Sequence, residues 1–250
     1  MLEDVAKLPA GAMPIFHSCC HNPTGYDLTL EQWTQLLELC RSHGLVPLLD
    51  MAYQGFRDGL DADAAAIRLF AESDLDFLVA TSYSKSFGLY SERVGALTVV
   101  TGSKKQADAV TTRIEALARA NYSNPPSFGS RIVAGVLSDA AKRARWEVEL
   151  AAMRDRICAM RHALVQETEK IGAKRDFSFV TRQGGMFSFT VYTRADGPSG
   201  NRVRHLCRAQ RPYLHLRAEY VERSVRGQGL CRRSLTQQKH RRIRATRGTS

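Results

Sequence analysis

Ser82–Gly95, with the sequence SYSKSFGLYSERVG, is the most informative segment of the chain. Its one lysine, Lys85, follows the apolar run Phe77–Ala80, has hydroxyl side chains on both sides, and precedes Arg93 by eight residues. A short apolar run is typical of a buried strand, so Lys85 stands just past a strand end. A lysine amine is a nucleophile only when neutral, and a half-buried strand end beside a cation disfavours its charged form. The segment therefore indicates a lysine that can hold a covalent ligand, although most lysines are surface charges.

The same segment also matches a motif of a different enzyme class. Ser82 and Lys85 have the S-x-x-K spacing of penicillin-binding proteins and serine β-lactamases, in which the serine is the nucleophile. Those enzymes also require S-D-N and K-T-G elements, and neither tripeptide occurs in the 250 residues. The sequence therefore excludes the β-lactamase interpretation.

Outward from this segment, short apolar runs alternate with longer segments of helical period. A helix is predicted over Thr29–His43, where Thr29 and Gln32 form a capping-box pair and Gly44 follows the last turn. A strand, a helix and a second strand in succession favour an α/β fold, with a mostly parallel sheet between helices. The predicted strands are Met13–Phe16, Leu45–Leu49, Phe77–Ala80 and Ala96–Val100.

Polar residues follow three of these strands. Asn22–Gly25 lies just beyond the first run, Asp50 closes the second, and Ser82 and Lys85 follow the third. The carboxyl ends of parallel strands meet at one edge of a sheet, where ligands bind in such folds. We therefore expect these side chains to lie together in one site.

A long helix is predicted over Asp139–Ile171, ended by Gly172. Its apolar positions recur every three or four residues, which indicates packing rather than function. They are Trp146, Leu150, Met153, Ile157, Met160 and Leu164. Two further strands, Phe177–Val180 and Met186–Thr190, would begin a second, smaller α/β domain. We thus expect one domain over residues 1–138, and the interdomain helix with the start of the small domain over residues 139–190.

Residues 191–250 differ from the rest of the chain in charge. They contain 15 Lys and Arg against 3 Asp and Glu, whereas the whole chain has a net charge of +11, so all of the excess positive charge lies in this segment. An Arg-rich segment can attract phosphates, which leaves a nucleic-acid-binding or interaction protein as an alternative function.

The cysteines and the lack of long apolar segments indicate the type of cellular compartment in which the protein is expected. The six cysteines form no C-x-x-C pair and have no regular spacing with histidine, so neither a zinc site nor a disulfide framework is predicted, and a reducing compartment fits better. They are Cys19, Cys20, Cys40, Cys158, Cys207 and Cys231. The acidic start Met1–Asp4 and the lack of any long apolar stretch predict neither a signal peptide nor a membrane span.

Three elements accompany the lysine segment, and the set closely resembles a known enzyme family. The elements are His21–Gly25 (HNPTG), Asp50–Phe56 (DMAYQGF) and Arg119–Pro126 (RANYSNPP). With Ser82–Gly95 they resemble, in order and spacing, the aspartate and aromatic aminotransferases, which are pyridoxal-phosphate enzymes of fold type I. The resemblance runs from about Met1 to Thr190 and implies the C-terminal half of the cofactor-binding large domain plus the start of the small domain.

The resemblance implies a role for each matching residue in binding pyridoxal phosphate. Lys85 would carry the cofactor as a Schiff base and then move a proton between substrate and cofactor. Asp50 would keep the ring nitrogen protonated, although such an aspartate can also be a helix N-cap. Asn22 and Tyr53 would donate hydrogen bonds to the ring oxygen, and Asn22 would also contact the substrate.

The phosphate and the substrate would be bound by a second set of residues. Ser82 and Arg93 match the phosphate-binding positions, where a guanidinium can form two charge-assisted hydrogen bonds. Arg119 matches the arginine that the family offers across a dimer interface to the second carboxylate of aspartate or glutamate.

The implied activity is transfer of the amino group of L-aspartate to 2-oxoglutarate, with aromatic amino acids as the alternative donors. The resemblance also implies a homodimer, amino-acid and 2-oxo-acid substrates, and no membrane or nucleic-acid partner. The expected compartment is the cytoplasm, with the mitochondrion as the alternative. The matching part begins in the middle of the family's pattern, so we expect the chain to lack a large N-terminal part and to be inactive.

The family's pattern also stops after Thr190 when the sequence is read as it stands. Read one nucleotide forward, the overlapping codons of Asp196–Tyr213, with the first base of the next codon, can spell MDRLATEFGIYAVRSGRI, which resembles the family's continuation. We hypothesise that residues 191–250 are an out-of-frame translation without an evolved partner, and we expect them to be disordered.

Overall fold

A computed structural model describes residues 1–188 and contains one four-stranded sheet. The strands are β1 (Ile15–His17), β2 (Leu48–Met51), β3 (Phe77–Ser82) and β4 (Gly95–Val100), in that spatial order. The first three strands are parallel, and β4 pairs with β3 in the antiparallel sense. All four predicted strands are present, although β1 and β2 begin two and three residues later than predicted, and the sheet is mostly parallel as expected.

Seven α-helices accompany the sheet within residues 1–188. They are α1 (Leu2–Val5), α2 (Leu30–Ser42), α3 (Leu60–Asp63), α4 (Ala65–Ala71), α5 (Lys104–Asn121), α6 (Phe128–Leu137) and α7 (Ala140–Lys170). The capping box predicted for α2 is present, because Thr29 Oγ1 accepts from Gln32 N–H and the Gln32 side chain accepts from Thr29 N–H. Asp139 caps α7, and Gly172, with φ of +65°, follows its last turn. Both helix predictions are therefore confirmed.

The core lies between the sheet and its helices. Leu49 and Met51 of β2 and Phe77 and Val79 of β3 are buried in one cluster with the apolar faces of α2 and α4. Aromatic rings join these elements edge to face, since the Phe70 centroid lies 6.0 Å from that of Trp33 and 5.7 Å from that of Phe77. We call β1–β3 with α2, α4 and α7 the packed half.

The remaining sheet strand and the helix after it are exposed. Residues 95–98 of β4 are exposed, and α5 buries no residue at all among the described part of the chain. Leu97 and Leu117 are 51% and 69% exposed. We call β4 with α5 the open half.

The apolar stripe of α7 serves as packing over only part of its length. Leu150 is fully buried, and Trp146 and Ile157 pack against the core. Met153, Met160 and Leu164 are exposed, so the prediction that they pack inside is wrong for residues 1–188. The spacing of apolar residues does not distinguish a helix that is covered by the core along its whole length from one that extends beyond the core.

The strand predicted at Phe177–Val180 is also wrong, because Ser178–Arg182 forms a 3₁₀-helix. Asp176 accepts hydrogen bonds from the N–H and hydroxyl of Ser178, which favours a turn over an extended strand. Residues 186–188 of the other predicted strand, Met186–Thr190, are not in a strand, and the rest of it lies outside the described residues.

The Arg-rich segment, residues 191–250, likewise lies outside the described residues. The frame-shift hypothesis, the expected disorder and the nucleic-acid alternative concern this segment and stay predictions. Within residues 1–188, none of the helices combines the length and the apolar character that crossing a membrane requires.

Candidate functional site

The carboxyl ends of β1–β3 bring the predicted polar residues to one edge of the sheet. His17 of β1 pairs in register with Asp50 of β2, which pairs in turn with Ala80 of β3. Ser82 closes β3 two residues later, at the same edge. The strand ends that precede or carry these positions therefore lie side by side at one edge of the sheet.

Lys85 lies in the turn after β3 and faces an aromatic ring. The residue is half-buried, and its Nζ lies 4.7 Å from the ring centroid of Tyr53. Tyr53, in the loop after β2, is only 6% exposed. A cation over a desolvated aromatic face is attracted by the ring, so Tyr53 orients the amine towards the sheet edge.

Asn22 joins this pair from the loop after β1. Its Nδ2 donates to the Tyr53 hydroxyl at 3.4 Å, and its backbone N–H donates to His17 Nδ1 at 3.0 Å. The loop is fixed by Asp27, whose carboxylate accepts from the N–H groups of Cys20 and His21 at 2.7 Å each. The structure thus brings Asn22 and Tyr53, predicted to act on the same ring oxygen, into direct contact.

The turn that carries Lys85 is held by α7. The indole Nε1 of Trp146 donates to the Ser86 carbonyl at 2.8 Å, and its ring stacks on Phe87 with centroids 4.6 Å apart. Ser84 and Ser86, on either side of the lysine, are buried. The hydroxyls flanking Lys85 are therefore part of the turn's packing, and the lysine is fixed on both sides.

Asp50 has a neighbour that sequence reasoning missed. Its Oδ2 lies 4.0 Å from Nε2 of His17, and the His17 and His21 rings are 4.9 Å apart. Burial and the nearby His17 lower the pKa of His21. The signal in the sequence was that His17 directly follows the predicted strand Met13–Phe16, just as Asp50 directly follows Leu45–Leu49.

Ser82 and Arg93 lie where the β3–β4 pair begins. Ser82 pairs with Gly95, and the Ser82 hydroxyl accepts from the Ser84 N–H at 3.3 Å. Arg93 is exposed, has a φ of +53°, and donates to the Tyr90 carbonyl at 3.2 Å. The two residues are at the same end of the hairpin, but Arg93 is oriented by its own loop.

Arg119 stands apart from the other predicted residues. It is exposed near the end of α5. Within residues 1–188, no hydrogen bond or ion pair joins it to Asn22, Tyr53 or Lys85, which we call the lysine constellation. Its expected role across a dimer interface stays a prediction.

A second cluster lies beside the site. One sulfur each of Cys19 and Cys20 and one carboxylate oxygen of Asp63 lie within 4.8 Å of one another, all buried. However, the Asp63 carboxylate accepts from the N–H groups of Gly55, Arg57 and Asp58 at 2.8–3.1 Å. The hydrogen bond with Cys20, together with burial, raises the pKa of Cys19. These groups are occupied in organising the loops, and the cysteines described, including Cys40 and Cys158, are free thiols.

The donor set fits pyridoxal phosphate in its chemistry. The sheet edge offers a primary amine on Lys85, a carboxylate on Asp50, and an amide and a phenol on Asn22 and Tyr53. A serine hydroxyl and an arginine follow at the hairpin end. An aldehyde, a pyridine nitrogen, a ring oxygen and a phosphate each have a matching partner among these groups.

The chain is similar in sequence to a described enzyme family. The profile of "Aminotransferase class I and II" matches residues 1–233, which includes part of the Arg-rich segment. The aspartate aminotransferase of Pseudomonas aeruginosa is 53% identical over 193 residues, which are 77% of this chain and 48% of that protein. The aromatic-amino-acid aminotransferase of Escherichia coli is 45% identical over 195 residues, which are 78% of this chain and 49% of that protein. The chain thus spans about half the length of the curated relatives it matches.

The fold is similar to solved structures of the same group. The aromatic-amino-acid aminotransferase of Burkholderia pseudomallei, solved covalently bound to pyridoxal phosphate, matches with a TM-score of 0.76 and 50% identity, over 78% of this chain and 49% of that one. The aspartate aminotransferase of Trypanosoma cruzi matches with a TM-score of 0.72 and 44% identity, over 78% and 50% of the two chains.

Proposed function

Because this chain belongs to the class I and II aminotransferase family, we propose that it is a pyridoxal-phosphate-dependent transaminase that transfers the amino group of L-aspartate to 2-oxoglutarate. The observation that carries the proposal is the contact set around Lys85. Its amine lies 4.7 Å from the centre of the Tyr53 ring, and the Tyr53 hydroxyl accepts from Asn22 at 3.4 Å. These contacts bring together an amine, a phenol and an amide, which are groups that could bind an aldehyde and a neighbouring ring oxygen.

Pyridoxal phosphate, when bound, supplies an electron sink for the substrate α-carbon. Lys85 Nζ would carry the cofactor and, once released from it by the substrate amine, hold and return a proton at that nitrogen. The Asp50 carboxylate would keep a proton on the ring nitrogen, with His17 beside it at 4.0 Å. Asn22 and Tyr53 would donate to the ring oxygen.

Ser82 and Arg93 would bind the phosphate, and Arg119 would bind the second carboxylate of the substrate. Arg119 is exposed and lies outside the lysine constellation, which supports its use by a second copy of the chain in a homodimer. Relatives named for aspartate and for aromatic amino acids match over the same part of the chain, so aromatic donors are the alternative substrates. Bacterial relatives favour the cytoplasm over a mitochondrion.

The first experiment tests cofactor attachment in the purified full chain. Added pyridoxal phosphate should produce an absorbance band distinct from that of the free cofactor, and borohydride reduction followed by peptide mapping should find the label on Lys85. Lys85→Ala should lose both signals, whereas Lys105→Ala, at an exposed position on α5, should keep them. A parent chain without the band, or a Lys85→Ala variant that keeps it, would refute the proposal.

The second experiment tests activity and substrate choice; the expectation that this chain is inactive stays a prediction, and transfer by the parent chain would overturn it. Transfer from L-aspartate and from L-phenylalanine to 2-oxoglutarate is compared in the parent chain and in Arg119→Met. If Arg119 binds the second carboxylate, the variant loses preference for aspartate by roughly tenfold or more, as expected for one charge-assisted hydrogen bond, and keeps its rate with phenylalanine. An equal loss with both donors would contradict this role.

A further inference from the structure

Arg161 is an arginine in an unusual environment. It lies on α7 among exposed charged residues, yet only 6% of it is exposed. Burial lowers the pKa of its guanidinium. Within residues 1–188 no carboxylate lies within ion-pair distance of it. Burying a cation without a carboxylate partner is costly, so its other contacts have to offset that cost.

The guanidinium is used instead to bind one short backbone segment. Its Nη2 donates to the carbonyls of Gly185 and Phe187 at 2.6 Å and 2.8 Å, and its Nε donates to the Ser188 hydroxyl at 3.2 Å. Three acceptors within four residues define the shape of that segment. We call Gln183–Ser188 the clamped segment.

The clamped segment packs tightly against the loop that carries Asn22. Gly184 N–H donates to the Gly25 carbonyl at 2.6 Å. Gly185 has a φ of +75°, and a Cβ added there would lie 2.4 Å from the Cβ of Cys20. On the other side of Asn22, a Cβ on Gly25 would lie 2.7 Å from the Phe187 carbonyl. A shift of the clamped segment therefore cannot leave this loop unchanged.

The clamped segment also reaches the lysine site through a ring. The Phe187 ring meets Tyr53 edge to face, with centroids 5.6 Å apart and an interplanar angle of 89°. Tyr53 in turn contacts Asn22 through its hydroxyl and Lys85 through its ring face. The contacts form a continuous path from Arg161 through Phe187 to Tyr53.

We propose that Arg161 is a positioning residue of the lysine constellation. By binding the carbonyls of Gly185 and Phe187, it keeps the Phe187 ring against Tyr53. It thereby fixes Tyr53 relative to Lys85 and Asn22. Only one expected consequence, an effect of Arg161 on the affinity for pyridoxal phosphate, rests on the proposed function. The positioning of Tyr53 is a property of the protein without the cofactor.

The first test is made without cofactor, so it is independent of the proposed function. The full chain is treated with N-acetylimidazole, and acetylation of Tyr53 is followed by peptide mapping. Arg161→Met keeps the apolar part of the side chain and removes the three N–H donors. It should speed Tyr53 acetylation at least about tenfold, which is the factor that corresponds to one charge-assisted hydrogen bond. Arg156→Met, at an exposed position on the same helix, should leave the rate unchanged.

A parent rate of Tyr53 acetylation in Arg161→Met would overturn the proposal. If Arg161→Met loses its helical circular dichroism, Arg161→Gln, which keeps a donor for one carbonyl, is compared with Arg156→Gln in the same way. Here too, an unchanged rate at Tyr53 would be decisive against the proposal.

The second test adds pyridoxal phosphate and separates positioning from a general loss of stability. Arg161→Met should weaken binding at least about tenfold and shift the pH midpoint of the bound-cofactor absorbance. Phe187→Leu should do the same, and the double variant should show less than the product of the two effects, since both act on Tyr53. A variant with a lower melting temperature but unchanged affinity and pH midpoint would show a structural role alone. A parent chain that never binds pyridoxal phosphate counts against the proposed function, while Tyr53 acetylation still decides the role of Arg161.

Discussion

The packed half and the open half of the molecule hold their functional residues in different ways. Asn22 and Lys85 each contact Tyr53, and the three residues are connected to the core by Trp146 and by the clamped segment. In the open half, β4 is exposed over most of its length and α5 buries no residue among those described. The residues expected to hold the cofactor ring therefore depend on interior packing, whereas Arg119, expected to bind the substrate carboxylate, lies on an exposed helix. Substitutions of the same kind in the two halves test this difference.

The largest contrast should come from removing an apolar side chain. Phe70, with no exposed surface, contacts Trp33 and Phe77, and Phe70→Ala should cost about 3–5 kcal/mol in the free energy of unfolding. Leu117 is 69% exposed on α5, and Leu117→Ala should change the free energy of unfolding by no more than about 0.5 kcal/mol. Urea denaturation measures both. Equal losses would show that the open half is as tightly packed as the core.

A smaller contrast is expected for two left-handed glycines. Gly172→Ala, where φ is +65° and no atom lies within 4 Å of a new Cβ, should cost only the backbone strain of about 1–2 kcal/mol. Gly185→Ala adds a clash with Cys20 at 2.4 Å to a similar φ of +75°, and should cost about 1–3 kcal/mol more. Thermal and urea unfolding measure the difference. If the two variants prove equally stable, the close contact between Gly185 and Cys20 is wrong.

A third contrast compares two helix caps. Thr29 caps α2 in the packed half, and Thr29→Ala should cost about 1 kcal/mol of global stability, because α2 buries Trp33 and Leu36. Ser103 caps α5 by accepting from Gln106 N–H at 3.3 Å. Ser103→Ala should leave global unfolding unchanged and speed amide hydrogen exchange in the first turn of α5. A global loss in Ser103→Ala would mean that α5 unfolds together with the core.

The smallest effect is expected from pH at the start of α7. Hydrogen bonds from the backbone N–H and side chain of Lys142 lower the pKa of Asp139 in the folded protein. A carboxylate with a lowered pKa stabilises the folded state above its unfolded pKa, and this contribution is lost as the pH falls through the folded value. Asp139→Asn, which keeps a capping oxygen but does not titrate, should show a shallower loss of stability in acid. Identical acid profiles for the two proteins would exclude this contribution.

Much of the fold could be predicted because local patterns and tertiary packing agree. The capping box at Thr29 and Gln32, the strand runs and both ends of α7 are determined by residues close in sequence. The 3₁₀-helix at Ser178–Arg182 was missed because the apolar letters around Phe177 also suit a strand, and the turn depends on the Asp176 side chain.

The sequence proposes the members of the candidate site, but it does not reveal the residues that support them. The motifs place Lys85, Asp50, Asn22 and Tyr53 at strand ends, and the register of the sheet then brings them together. Arg161 was missed because an arginine in a highly charged helix has the letter pattern of a solvated face. Its burial depends on where Gly185 and Phe187 lie after a turn of the chain, which is a long-range property.

The bond between Trp146 and Ser86 also makes the protein its own optical probe. Trp33, the other tryptophan, lies in the core between Phe16 and Phe70, whereas the Trp146 indole contacts the residue next to Lys85. A chromophore attached to that lysine would take up excitation energy from Trp146 at short range. A loss of Trp146 emission would thus report occupancy of the neighbouring amine, without any added dye.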